Sequence, residues 1–318
     1  MRRLLAVTSV LVAQLSCSLS DLPELPTLGD PCADWPTPGL YRMDVGEDWT
    51  RDVVVYVPAR PDARDAVVVL HGAGGSPERM QRETSFEVDA DLLRFVAAFP
   101  PGTGAAAGLT WNAGTCCGYA ETIDQPDVGF LEATAAALRD RLCVDRVLAA
   151  GHSNGSMMVM RWTCEGGSVD AVLADAGPLL LGQCAGEPTP VMAWHGTADT
   201  RVPYAGGATA EGETFPPAEE AFALVRERNG CTDAPPEVTV DGDTTCSTWT
   251  CEVPTTFCAV DGWPHTWPGG ANPRPTGPKV EDVALDWFFS LAPDPVTDTD
   301  PPADTDPPAD TDPADTDP

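Results

Sequence analysis

The stretch from Val147 to Met158, VLAAGHSNGSMM, constrains the fold more than any other part of the chain. A short apolar run leads into G-x-S-x-G, and residues of helical pattern follow. Gly151 and Gly155 allow a buried strand to turn sharply into a helix, which leaves Ser153 at the apex beside a helix N-terminus. A turn of this kind needs a layered frame of strands and helices around it.

The rest of the chain supplies that pattern. Apolar runs predict strands over 52–57, 66–70, 95–99, 146–150, 171–174, 191–194 and 256–260. Between them lie helical segments over 77–86, opened by Ser76 as N-cap with Pro77 at the first position, and over 127–142, 154–164, 217–228 and 280–291. Strands alternating with helices at this spacing imply an α/β protein with a mostly parallel central sheet and helices on both faces. Ligands in such sheets bind at the carboxyl ends of strands, so the loops after Leu70, Ala150 and Trp194 are where chemistry is expected.

The 318 residues suit one catalytic domain with tails. MRRLLAVTSVLVAQLSCSLS has two arginines, an apolar run and then small residues, the pattern of a secretory signal over 1–20. Cys17 stands where a lipoprotein signal would place its lipidated cysteine. Residues 21–40 form an N-terminal segment and 41–292 the catalytic domain. Residues 293–318 repeat Pro, Ala, Asp and Thr and carry nine aspartates without a basic residue, so no core can form there and disorder is expected. The formal net charge of -31 opposes binding to nucleic acid or an anionic membrane, and contact with a membrane is expected only if Cys17 is lipidated. A monomer is expected.

Eleven cysteines fit an oxidising compartment, and setting Cys17 aside leaves ten. With four histidines and no CxxC pair, disulfides are expected in place of a metal site. The adjacent Cys116 and Cys117 are expected not to bridge each other, one of them reaching a distant cysteine, with Cys143 the first choice.

Ser153 needs a base. His152 is its covalent neighbour at a sharp turn, where adjacent side chains diverge, so the proton acceptor must come from elsewhere. In proteins with this serine turn the order is nucleophile, acid, histidine. Asp199 follows a buried strand by a short turn in HGTAD, and His265 lies in the later loop DGWPHTWPGG, so the expected triad is Ser153, Asp199 and His265. The glycine-rich LHGAGGS has no G-K-[ST] and is expected to donate backbone N–H groups in place of binding phosphate. Ala73 and Asn154 are assigned to an oxyanion hole. Trp111 and Trp267 are candidate walls of a substrate pocket, with packing for stability as the alternative. No cofactor is required.

LHGAGGS, WNAGTCCG, DVGF, GHSNGSMM, HGTAD and HTWPGG, in that order, give the chain from about Tyr41 to Leu291 a resemblance to exported polyhydroxybutyrate depolymerases and feruloyl esterases, the LpqC-like esterases of the α/β-hydrolase fold. The resemblance implies the same triad and a structural role for Asp127. Two departures stand out: Ser156 replaces a glycine common in the family, and the acidic repeat stands where depolymerases of solid polyester carry a substrate-binding domain. The expected activity is hydrolysis of short acyl or hydroxycinnamoyl esters, including those on plant polysaccharide. Polyester oligomers are the alternative. A serine peptidase or an inactive surface-binding protein ranks below both.

Overall fold

The computed structural model describes residues 21–59, 64–105, 108–210, 212–272 and 274–292. The signal segment, Cys17 and the acidic repeat lie outside the described residues.

In chain order the elements are β1 (Gly39–Met43), β2 (Val53–Val57), β3 (Asp65–Leu70), α1 (Pro77–Glu83), α2 (Phe86–Leu93), β4 (Phe95–Phe99), β5 (Thr103–Ala105), β6 (Gly108–Thr110), α3 (Gly118–Thr122), α4 (Asp127–Leu142) and β7 (Arg146–His152). There follow α5 (Asn154–Glu165), β8 (Ala171–Asp175), β9 (Val191–Gly196), β10 (Gly207–Ala208), β11 (Thr214–Phe215), α6 (Ala218–Arg228), β12 (Glu237–Asp241), β13 (Thr244–Trp249), β14 (Thr255–Val260) and α7 (Val280–Ser290).

Ten strands form one sheet in the order β1-β2-β4-β3-β7-β8-β9-β14-β13-β12. The six central strands from β4 to β14 run parallel, and the pairs at either side are antiparallel. Period-2 alternation sends the side chains of β3 to both faces. Ala66, Val68 and Leu70 pack into a core with Phe130 and Leu138 of α4 and Met157 of α5. Val67 and Val69 face the opposite core, which contains Met80, Phe86 and Phe288. Burial on both faces explains why the central strands read as continuous apolar runs. Each buried Phe side chain contributes about 2 kcal/mol.

The helix expected over 77–86 is two helices. Thr84 leaves helical geometry, and the Ser85 N–H is taken by Glu281 Oε1 at 3.2 Å. Among the described residues there are five disulfides: Cys32–Cys143, Cys116–Cys117, Cys164–Cys184, Cys231–Cys251 and Cys246–Cys258. The expected link from Cys116 or Cys117 to Cys143 is therefore corrected. A trans peptide would hold consecutive Cα atoms about 3.8 Å apart. The Cys116–Cys117 peptide is cis, with Cα atoms 3.0 Å apart, and Cys143 pairs with Cys32.

Candidate active site

β7 runs into α5 through Ser153, whose φ of 57° and ψ of -122° are unusual for a residue with a side chain. The Ser153 N–H donates to Asp175 O at 2.8 Å, and its carbonyl accepts the first bond of α5 from Met157 at 3.0 Å. Both flanking glycines are required by close approach: a Cβ on Gly151 would collide with the Gly155 carbonyl, and one on Gly155 with the Leu70 carbonyl. Ser156 takes the place of the expected glycine without disrupting the turn, because its Oγ donates to Gly177 O at 2.7 Å.

β9 and β14 are parallel neighbours whose ends pair as Gly196 with Val260, so the loops that follow them emerge side by side. Asp199 sits on the first loop and His265 on the second, and the Ala198 N–H donates across to Trp263 O at 3.1 Å. His265 Nδ1 lies 2.6 Å from Asp199 Oδ2, and its Nε2 lies 2.8 Å from Ser153 Oγ. The structure thus brings together three residues spread over 112 positions of sequence. The other carboxylate oxygen of Asp199 accepts from the Arg201 and Val202 N–H groups, each at 2.9 Å. His195 Nε2 donates to Val202 O at 2.8 Å and lies 3.3 Å from Asp199 Oδ2.

Burial pushes Asp199 up, but hydrogen bonds from His195 and His265, the nearby His265 and the Val202 N–H outweigh it, holding Asp199 well below the usual carboxylate range. Burial lowers His265, and its hydrogen bond to Asp199 offsets only part of that effect. At neutral pH the pair is therefore an ionised carboxylate beside a neutral imidazole. Such an imidazole carries its proton on Nδ1, toward Asp199, and presents the Nε2 lone pair to Ser153.

Ser153 and His265 line a cavity of about 130 Å³ together with Ala73, His152, Arg201 and Trp267. Neither the Ala73 nor the Asn154 N–H donates to another described residue. Asn154 is the first residue of α5, where N–H groups have no partner within the helix. Trp267 lines the cavity, is 1% exposed and donates its Nε1–H to Glu281 Oε1 at 2.7 Å. Trp111 is not part of the cavity wall. It is fully buried, exchanges two bonds with the Asn154 side chain at 2.7 and 3.0 Å, and donates Nε1–H to His71 O at 3.0 Å. Packing, the alternative use, describes its surroundings. Asp127 is buried between Arg51 Nη1 at 2.7 Å and the Asn112 N–H at 2.8 Å, a structural position.

Two features of the site were not expected. His152 Nδ1 lies 2.6 Å from Asp175 Oδ2, which makes a second His–Asp pair beside the first, with the His152 and His265 rings 5.0 Å apart. A carboxylate closing the apolar run AVLAD at the carboxyl edge of the sheet was a signal that could have identified Asp175. His71 holds the LHGAGGS loop: its Nδ1 bonds to Gly72 O at 2.8 Å and its Nε2 accepts from the Gly102 N–H at 3.0 Å. Among the described residues, Cys116, Cys117 and Glu213 are close enough to share a metal ion, but their two sulfurs are tied in a disulfide and offer no thiolate.

No family model matches the chain. The protein named "Putative esterase NocK" from Nocardia uniformis subsp. tsuyamanensis is 32% identical over 255 residues, which cover 72% of this chain and 73% of its own length. Acetyl xylan esterase from Aspergillus awamori superposes with a TM-score of 0.59 at 13% identity, over 79% of this chain and 99% of that one. The Bacillus cereus carboxylesterase gives a TM-score of 0.50 at 13% identity, over 76% and 94%. At these identities the two structures share the fold alone, and the expected α/β-hydrolase architecture is the one they have. With the fold from these structures and the kinship from NocK, the chain belongs to the NocK family of α/β-hydrolase esterases and is a carboxylic ester hydrolase.

Proposed function

We propose that the protein is an exported serine esterase whose catalytic residues are Ser153, His265 and Asp199, and that it removes short acyl groups, acetyl foremost, from hydroxylated carriers such as plant polysaccharide. The observation that carries this proposal is the continuous chain of bonds from Ser153 Oγ through His265 to Asp199, at 2.8 and 2.6 Å.

Ser153 Oγ attacks the ester carbonyl while His265 Nε2 takes its proton, and Asp199 stabilises the resulting imidazolium. The carbonyl oxygen becomes negative within reach of the Ala73 and Asn154 N–H groups, each worth about 3 kcal/mol in comparable sites. Collapse breaks the bond to the alcohol oxygen, which receives the proton from His265. Water then enters, gives a proton to the same nitrogen and attacks the acyl-enzyme, and the acid leaves as Ser153 recovers its hydrogen. No cofactor enters these steps.

The cavity of about 130 Å³ is small beside pockets that enclose larger ligands, which supports a short acyl group over a hydroxycinnamoyl one. Its polar wall, with Arg79, Glu83, Arg201 and Asn272, supports a hydrophilic alcohol. Export is supported by the five disulfides and by the signal-like start of the sequence. Among the described residues no helix is long and apolar enough to cross a membrane.

The test is hydrolysis of 4-nitrophenyl acetate, acetylated xylan, methyl ferulate, a 3-hydroxybutyrate oligomer and a peptide amide by wild-type protein and Ser153→Ala. Ser153-dependent release of acetate, with acetyl esters ahead of ferulate and oligomer, is the expected result. Preference for the oligomer would make the enzyme a polyester depolymerase, preference for the amide a peptidase, and no activity on any of them would contradict the proposal.

A further inference from the structure

The second His–Asp pair lies inside the site but outside the reaction just described. Asp175 is 2% exposed and ends β8, and its carboxyl group faces His152 Nδ1 at 2.6 Å. That contact occupies one nitrogen of the ring. The other has no partner: His152 Nε2 makes no hydrogen bond to a described residue, yet it is not among the buried polar atoms left unsatisfied. The ring edge away from Asp175 is the one bearing Cδ2 and Nε2. It is turned toward Gly72, where Cδ2 would lie 3.6 Å from an added Cβ, and both residues line the cavity that holds Ser153.

Burial pushes the Asp175 carboxyl well above the usual carboxylate range and the His152 imidazole down to about 4, so the ring stays neutral at the pH where the proposed mechanism runs. Asp175 holds Nδ1, and Nε2 faces the cavity as the polar atom left to form a hydrogen bond, donating or accepting according to the tautomer. A polar atom fixed this way selects a ligand with a hydroxyl, which serves either role. The rings of His152 and His265 are neighbours, 5.0 Å apart and tilted by 42°. In the proposed reaction the ester's alcohol oxygen must face His265 to receive its proton. With the rings this close, a hydroxyl on the adjoining carbon can reach the neighbouring imidazole.

We infer that His152 is a specificity-determining residue that forms a hydrogen bond with a hydroxyl next to the ester oxygen, so that the preferred substrates are monoesters of vicinal diols, the arrangement found on sugar rings. This rests on the esterase mechanism at Ser153 and names the alcohol that mechanism releases. Asp175 acts through His152 by holding its Nδ1, as a positioning residue.

The test compares 2-hydroxyethyl acetate with propyl acetate, two esters of nearly equal size that differ in one hydroxyl. Each kcat/KM is divided by the rate of hydroxide-catalysed hydrolysis of the same ester, which removes intrinsic reactivity. Wild-type enzyme is expected to prefer the hydroxylated ester by about fivefold or more, the worth of one hydrogen bond. His152→Phe, which keeps an aromatic ring without the polar nitrogen, is expected to bring the ratio close to one. A wild-type ratio near one, or an unchanged ratio in the variant, overturns the inference.

Should His152→Phe not fold, acyl transfer in the wild type gives the same answer. Per hydroxyl group, ethylene glycol should capture the acetyl-enzyme about fivefold better than 1-propanol, and equal capture per hydroxyl overturns the inference. Hydrolysis of both esters without preference counts against His152 alone. No Ser153-dependent hydrolysis of either ester counts against the esterase mechanism, and the inference falls with it.

Discussion

Asp199 Oδ2 lies 2.6 Å from His265 Nδ1, across 66 residues of sequence, while Asp199 Oδ1 is held by two backbone N–H groups at 2.9 Å. The carboxylate is thus fixed on one side and spends its other oxygen on the imidazole. Asp199→Asn keeps the shape, but its amide can donate to Nδ1 and turn the Nε2 lone pair into a donor. The expected loss in kcat is about 10⁴-fold, as in other triads, with folding intact by circular dichroism. A loss below about tenfold would remove Asp199 from the mechanism.

The pH dependence follows from His265. Its neutral form is the base, and burial lowers its pKa, so kcat/KM is expected to rise with pH and level off, with the inflection below the ordinary histidine value of about 6.5. Profiles on 4-nitrophenyl acetate test this. An inflection displaced upward would show instead that Asp199 outweighs burial.

His71 provides a stability test remote from turnover. Burial pushes it down to about 4, and its folded state is neutral, bonded to Gly72 and Gly102. Unfolded, it takes up a proton below about 6.5. Between those two values the unfolded state binds more protons, so this contribution to stability falls as pH falls. Compared with His71→Asn, the wild type should lose up to about 3 kcal/mol of its advantage between pH 6.5 and 4. Urea unfolding of both proteins at several pH values measures the gap, and a constant gap would contradict the prediction.

Asn154 joins the serine turn to the 111–118 loop by two buried bonds to the Trp111 backbone. Removing the side chain leaves an N–H and a carbonyl without partners. Asn154→Ala is therefore expected to cost about 1–3 kcal/mol in urea unfolding, while Asn154→Asp, which keeps only the acceptor, should cost less for the N–H and more for the carbonyl. No change in the alanine variant would mean that water replaces the amide.

The Cys32–Cys143 bridge spans 111 residues of sequence and ties the N-terminal segment to the end of α4. Loop closure alone assigns it about 4–5 kcal/mol. The double variant Cys32→Ala, Cys143→Ala should lower the urea midpoint accordingly, and retention of the wild-type midpoint would contradict this.

Much of the central frame was legible in the sequence, because strands buried on both faces are written as unbroken apolar runs and α4 shows its full extent from Asp127 to Leu142. The sheet margins were not. β12 alternates two valines with polar residues but is exposed along its whole length, and β13 is rich in threonine, so neither reads as an unbroken apolar run, although Asp241-Gly242 marks the turn between them. Motif and chain order point to Ser153, Asp199 and His265, and the structure brings these three side chains into one chain of contacts. Asp175 was missed because its role depends on strand pairing, which sets it opposite His152. For Trp111 the sequence leaves wall and core as alternatives because tryptophan suits both, and only the bonds to Asn154 and His71 separate the two.

A nucleophilic Ser153 must carry the acyl group between the two half-reactions, and mass spectrometry of enzyme quenched in acid during turnover of 4-nitrophenyl acetate detects it. One acetyl group is expected on the peptide containing Ser153, formed in a burst, with neither the adduct nor the burst in Ser153→Ala. An acetyl group on another residue, or undiminished turnover by Ser153→Ala, would contradict this role of Ser153.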